Sequence, residues 1–153
     1  ILFWNLKMYD IERMNKIIRD IEEYFFKLKN IGLSKENADI DEKFFSSSMI
    51  IFGILNRSID LAEEILIKNE FGMPTNYAES LISKELAEQL KELMKSRNIF
   101  SHEYYNVNRK LVLKLSKDIY AAKDFVERVK KLIEKEEKIA REDKKWKLTL
   151  NSQ

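Results

Sequence analysis

Apolar residues recur at alternating steps of three and four along most of this chain, which is the spacing of amphipathic helices. The first stripe predicts a helix that ends near Gly32, because glycine is common just past a helix end. The residues of this stripe are Ile11, Met14, Ile18, Ile21, Phe25 and Leu28. Residues 30–41 then form a connection.

A second helix is predicted from about Asp41 to Asn69. Its apolar stripe consists of Phe52, Leu55, Ile59, Ala62 and Leu66. Asn56 and Asp60 lie one turn apart beside this stripe, where they can face a neighbouring helix. The strongest break follows at residues 69–76, which hold the single proline and a glycine. Residues 77–82 predict a short helical turn.

The third helix carries an unusual stripe. Ser83 is its predicted cap, and Leu86, Leu90 and Leu93 define its apolar side. The same spacing continues through Arg97, Phe100 and Tyr104, which assigns an arginine to the core side of the helix. Asn98 and His102 are four residues apart and share the adjacent face.

The fourth helix has the longest repeat. Asn106 or Asn108 is its predicted cap, and a charged run from Glu134 to Lys147 is predicted to be a solvated helical extension. The stripe between them is unbroken over Val112, Leu115, Ile119, Ala122, Val126, Val129 and Ile133.

These patterns predict an all-α fold. Four helices with short connections favour an antiparallel, up-and-down four-helix bundle, with the segment at 77–82 as an additional short helix. Only 3 of the 153 residues are glycine and 1 is proline, too few for a turn-rich β protein. We interpret residues 1–7 as an N-terminal extension, native or vector-derived, 8–134 as the helical domain and 135–153 as a charged C-terminal extension.

The composition excludes several function classes. The chain has no cysteine, which rules out disulfides, thiolate metal sites and a cysteine nucleophile. The 28 basic and 26 acidic residues give a net charge of +2, which argues against a general nucleic-acid coat but permits a local basic patch. No apolar stretch reaches the roughly 20 residues of a membrane span, and the first residues lack a signal-peptide layout. We expect a cytoplasmic protein.

Candidate chemistry is concentrated around the single histidine, His102. An ordinary imidazole changes charge near pH 6.5, and a guanidinium such as that of Arg97 binds phosphate oxygens as a fork. A structural interpretation stays open beside this one. In it Arg97 pairs with a carboxylate such as Asp60, His102 closes its helix, and Tyr104 and Tyr105 are rim aromatics.

The order Arg97, four residues, His102, any residue, Tyr104 resembles the signature of the HEPN superfamily, closest to its HepT-like branch. The resemblance covers about Met8 to Leu132, with the motif at the junction of the third and fourth helices. It includes the segments 58–62 and 73–77, which match more loosely.

This resemblance implies a metal-independent endoribonuclease that needs no cofactor. His102 would act as acid or base while Arg97 holds the phosphoryl oxygens, so that an RNA 2′-hydroxyl attacks its own phosphodiester. Cleavage would leave a 2′,3′-cyclic phosphate and a 5′-hydroxyl. Because one chain has a single histidine, a homodimer with a composite site would supply both an acid and a base. Asn98 and Asp60 are weaker candidates, to orient His102 and to support Arg97.

The same resemblance implies a toxin of a type VII-like toxin–antitoxin system. Its partner would be a minimal nucleotidyltransferase antitoxin of the MntA type, which transfers AMP to Tyr104. The added phosphate would compete with RNA for Arg97. RNA contacts outside the motif are open, since the flanking cations could touch the backbone or be solvated. These cations are Lys91, Lys95, Arg109 and Lys110.

Two other hypotheses use the same residues. In one, the protein is a non-catalytic subunit that binds a nucleotide or presents a substrate to a nucleotidyltransferase. Arg97 then anchors a phosphate, but His102 transfers no proton. In the other, the protein is a scaffold dimer without a ligand, and removal of Arg97 changes only stability.

Overall fold

The computed structural model describes residues 10–70 and 84–152. It describes their side chains as well, except at 66–70. The helices are α1 (Ile11–Ile31), α2 (Asp41–Glu70), α3 (Lys84–His102), α4 (Arg109–Asp118) and α5 (Tyr120–Asn151). A 3-10 turn, Tyr104–Asn106, joins α3 to α4. No strand occurs in this part of the chain, which confirms the all-α prediction.

Contacts between helices show the up-and-down order. Arg13 near the start of α1 pairs with Glu64 late in α2 at 2.7 Å. At the other end, Lys43 Nζ donates to the Ile31 carbonyl at 2.6 Å. These contacts make α1 and α2 antiparallel, as the short connection predicts.

The last helix also runs antiparallel to α1. The rings of Phe25 and Tyr120 lie 5.6 Å apart, and Lys130 Nζ reaches Glu22 at 2.8 Å. This hydrogen bond to Glu22 raises the pKa of the Lys130 ammonium. The predicted bundle is therefore present.

The ends of α1 follow from short-range signals in the sequence. The Asp10 carboxylate accepts the Arg13 N–H at 3.0 Å as an N-cap. Gly32 ends the helix at φ 62°, a conformation that costs glycine little. Asn37 then braces the connection, donating to the Gly32 carbonyl at 2.9 Å and accepting from the Ser34 N–H at 2.8 Å.

The predicted stripes of the first and last helices are buried, except for the half-buried Ile11, and they form the core with α2 and α3. The stripe predicted for α2 is partly wrong. Leu55 is buried, but Phe52, Ile59 and Ala62 are only half-buried. The fully buried apolar positions of α2 are Ile51, Ile54, Leu55, Leu61 and Ile65. This helix packs against α1, α3, α4 and α5, so its buried sector is wider than one stripe and is rotated from the predicted one.

The predicted fourth helix is divided at Ile119, which corrects the expectation of one unbroken element. The Ala122 N–H donates to the Ile119 carbonyl at 2.9 Å, a three-residue step that tightens the chain locally. Ile119 itself is fully buried. The stripe continues through the division because a single tightened turn barely changes its direction.

The charged C-terminal run is helical to Asn151, but it is not solvated throughout. Glu136 is only 1% exposed, and its Oε1 has no hydrogen-bond partner within residues 10–70 and 84–152. Burial raises the pKa of this carboxyl above its ordinary range. The packed part of α5 therefore reaches past Glu134, where the sequence suggested that it ends.

Several predictions lie outside the described residues. These are the extension at 1–7, the side chain of Leu66, most of the break at 69–76, the turn at 77–82 and the Ser83 cap.

Candidate active site

The C-terminal half of α3 carries the arginine of the motif. Arg97 is half-buried, as its place on the stripe predicted. Its Nε is buried and has no hydrogen-bond partner among the residues that the structure describes. A buried donor that stays unpaired costs roughly 1–3 kcal/mol. A bound anion that accepts a hydrogen bond from Nε would remove this cost.

The histidine closes the same helix. His102 is the last residue of α3 and is exposed, with Asn98 exposed one turn before it. Directly after His102, the Glu103 N–H donates to the Ile99 carbonyl at 2.9 Å and so closes the last turn of the helix. A ring at this position can reach a ligand from solvent.

Tyr104 differs from the sequence prediction. The spacing continued the α3 stripe to Tyr104 on the core side, but the helix ends two residues earlier. Tyr104 lies in the 3-10 turn and is 76% exposed. Its ring meets that of Tyr105, itself 71% exposed, edge-on at 6.0 Å.

The turn that carries Tyr104 is held by its own backbone. The Asn106 N–H donates to the Glu103 carbonyl at 2.7 Å, and the Val107 N–H to the Tyr104 carbonyl at 3.1 Å. Asn108 is the cap of α4, since its Oδ1 accepts the Leu111 N–H at 2.9 Å. Of the two predicted caps, Asn108 is confirmed. Segment 103–108 therefore forms one hydrogen-bonded unit between α3 and α4.

Two contacts with α2 flank this unit. On the α3 side, Phe100 stacks on Phe52 with ring centroids 5.9 Å apart and planes inclined by 17°. On the α4 side, the Arg109 guanidinium lies 5.5 Å from the centre of the Phe44 ring. Neither contact is visible as a short-range pattern in the sequence.

Arg97 and His102 do not share a face of α3. Five helical residues correspond to a rotation of about 140°, so the two side chains diverge. In the described part of the chain, no hydrogen bond or ion pair joins Arg97, His102 and Tyr104 to one another. A single chain thus presents the arginine between helices and the histidine at the helix end.

Asp60, a candidate partner of Arg97, is engaged elsewhere. Its Oδ2 lies 3.2 Å from Arg57 Nη1, and Arg57 Nη2 lies 2.6 Å from Asp20 Oδ2. These ion pairs tie α2 to α1. No ion pair between Asp60 and Arg97 occurs within residues 10–70 and 84–152.

The cations that flank the motif differ in their surroundings. Lys91 and Lys95 pair with acids one turn earlier in α3, Glu88 at 3.5 Å and Glu92 at 2.8 Å. The hydrogen bond that Lys95 donates to Glu92 raises the pKa of the Lys95 ammonium. Lys110 is exposed and has no acidic partner in the described residues. Arg109 is bound to residues at the start of α2, so of these four cations Lys110 alone has no ion pair in the described part of the chain.

The described residues hold neither a metal-binding cluster nor a membrane-spanning helix. No three carboxylate or imidazole groups there are placed to hold a metal ion together. None of the helices in those ranges has the length and apolar character that crossing a membrane requires.

Comparison with known proteins adds the family. A family model described as ribonuclease HepT-like matches residues 14–132, which include Arg97, His102 and Tyr104. The chain belongs to the HepT-like ribonuclease family. No curated protein and no solved structure gave a significant match. Membership of the HepT-like family indicates ribonuclease activity and RNA as the substrate, and it confirms the resemblance found from the motif.

Proposed function

We propose that this HepT-like protein is a metal-independent endoribonuclease in which Arg97 and His102 act on the scissile phosphate. The observation that carries the proposal is the half-buried Arg97, whose buried Nε has no hydrogen-bond partner among the described residues, on the helix that ends at the exposed His102. A phosphate oxygen would satisfy this donor and pair with the guanidinium charge.

The chemistry needs one proton taken and one given. A base removes the proton of the RNA 2′-hydroxyl, its oxygen attacks the adjacent phosphorus, and the 5′-oxygen leaves with a proton from an acid. The products are a 2′,3′-cyclic phosphate and a 5′-hydroxyl. Arg97 stabilises the negative charge on the crowded phosphorus. DNA is spared because it has no 2′-hydroxyl. Asn98 is the proposed side chain that orients the imidazole of His102.

A homodimer is proposed because one chain offers one imidazole, and because Arg97 and His102 diverge on α3. A second copy can bring its own His102 to the Arg97 of the first, which gives the acid and the base in one cleft.

Exposed apolar side chains on α2 and α3 support this assembly. Phe45 and Met49 lie one turn apart on α2 and are 62% and 70% exposed. On α3, Met94 is 48% exposed and borders a small cavity between these two helices. Met94 lies one turn before Arg97. A partner copy on this face would cover apolar surface next to the arginine.

We further propose that the protein is the toxin of a type VII-like toxin–antitoxin pair, neutralised by a minimal nucleotidyltransferase that transfers AMP to Tyr104. The support is the 76% exposure of Tyr104, which leaves its hydroxyl open to an enzyme. The attached phosphate would compete with RNA for Arg97.

A second function is compatible with the unpaired Arg97. A subunit that only binds nucleotides would use the same phosphate anchor without proton transfer by His102. RNA cleavage distinguishes the two functions, because only the ribonuclease breaks RNA.

A subunit-mixing experiment tests the composite site. The His102→Ala protein is mixed with an equal amount of wild type under conditions in which subunits exchange. If one cleft needs the imidazoles of both protomers, only the pure wild-type dimers cut RNA, and the activity falls to about one quarter of that of wild type alone. Activity of about one half would show that a single histidine suffices for each site and would contradict the two-histidine cleft. A matched RNA with a single 2′-deoxy residue at the cleaved position must resist the wild-type enzyme.

A further inference from the structure

Arg109 is tied to a distant part of the chain by several contacts. Its Nε donates to the Ala38 carbonyl at 2.9 Å and lies 3.2 Å from Asp39 Oδ1. Its Nη2 reaches Asp41 Oδ1 at 3.2 Å, and the guanidinium lies over the Phe44 ring. A planar fork can satisfy all these contacts at once, whereas an ammonium cannot.

The position of Arg109 makes these contacts informative. It is the first residue of α4, where the helix dipole disfavours a positive charge. The carboxylates of Asp39 and Asp41 offset this cost. Arg109 also directly follows the hydrogen-bonded unit 103–108, which carries Tyr104 and begins next to His102.

We propose that Arg109 is a positioning residue that holds the turn between His102 and α4 against the start of α2. The inference rests on the proposed ribonuclease function. Arg109 acts through the turn, since its Nε and Nη2 are engaged by Ala38, Asp39 and Asp41. Together with the Phe52–Phe100 contact, it ties both sides of segment 103–108 to α2.

Substitutions separate positioning from RNA binding. Arg109→Ala should lower kcat by up to about 100-fold, since small displacements of reacting groups can cost that much, and should leave KM nearly unchanged. Arg109→Lys should behave like Arg109→Ala, because the forked contacts are lost although the charge stays. An RNA-binding arginine would give the opposite result, a raised KM that lysine restores.

The acidic partner offers the sharpest comparison. Asp41→Asn removes a negative charge, so it would improve RNA affinity if Arg109 were thereby freed to bind phosphate. The proposal expects a fall in kcat instead, with no further fall in the Arg109→Ala, Asp41→Asn double variant. Lys110→Ala is the matched control, and it should change salt dependence and KM but not kcat.

Hydrogen exchange tests the positioning without relying on catalysis. The backbone amides of Asn106 and Val107 should exchange faster in Arg109→Ala and Asp41→Asn than in wild type, and at the wild-type rate in Lys110→Ala. Unchanged exchange in the first two variants would overturn the proposal. If exchange changes but the wild-type protein cleaves no RNA, the positioning stands and the ribonuclease function fails.

Discussion

Phe52 and Phe100 stack across the interface of α2 and α3, with ring centroids 5.9 Å apart. Phe100 lies three residues after Arg97 and two before His102, so this contact joins the centre of the motif to α2. Both residues are half-buried, so part of the shielding of each ring from water comes from the other ring.

Shortening either ring should weaken the fold locally. Phe100→Leu is expected to lower the free energy of unfolding by about 0.5–1.5 kcal/mol, the contribution of an aromatic pair beyond its buried area. Urea denaturation measures the change. Phe26→Leu, at a ring that is 65% exposed on α1, should stay near wild type. Equal losses in both variants would show that the stacking adds nothing.

The buried Glu136 predicts a pH-dependent stability. Because burial raises the pKa of this carboxyl above 4.5, the fold favours its protonated form. Its contribution is fully present below the unfolded-state pKa and is lost as the pH rises through the folded-state pKa. Glu136→Gln should therefore match wild type in acid and become the more stable protein towards pH 7.

Glu136→Met should go further and stabilise the protein by about 1–3 kcal/mol at neutral pH, since no buried polar oxygen stays unpaired. Denaturation curves between pH 4 and pH 8 give both comparisons. The exposed neighbour Glu137 provides the control, because Glu137→Gln should leave the pH profile unaltered. A wild-type profile that gains stability relative to Glu136→Gln with rising pH would contradict the argument.

The role of Asp60 can be tested by comparing its substitution with that of Asp20. Both carboxylates bind Arg57, so Asp60→Asn and Asp20→Asn should each cost less than about 1 kcal/mol of stability and leave RNA cleavage intact. Steady-state kinetics and denaturation are measured on both. Loss of cleavage in Asp60→Asn alone would return Asp60 to the role of a partner of Arg97.

Tyr104 and Tyr105 form a matched pair for the modification. Incubation with ATP and the partner nucleotidyltransferase should add the mass of AMP to wild type and to Tyr105→Phe, but not to Tyr104→Phe. Both tyrosines are similarly exposed, so accessibility alone cannot produce this difference. Intact-mass spectrometry reads the result, and modification of Tyr104→Phe would assign the acceptor elsewhere.

The helices and the motif were predictable because they depend on local spacing. The helix end at Gly32 and the helix cap at Asn108 each depend on residues only a few positions away. The stripe from Val112 to Ile133 likewise repeats every three or four residues. The division at Ile119 was not predictable, since the stripe runs through it unchanged. Tyr104 was placed on the core side because periodicity does not show where a helix ends.

Contacts that join distant segments could not be predicted from the sequence either. Arg109 bonds to residues about 70 positions earlier, and Glu136 lies in a run whose charge suggested solvent. Such placements depend on how whole helices pack, which neither the charge nor the spacing of one segment determines.

The most direct test is cleavage of a defined RNA in EDTA by wild type and by His102→Ala, after intact mass has shown that Tyr104 carries no AMP. The account predicts that wild type alone cuts the RNA and leaves 2′,3′-cyclic phosphate ends, while His102→Ala stays folded and inactive. Equal cleavage by both proteins would contradict the role of His102, and no cleavage by either would favour the nucleotide-binding subunit.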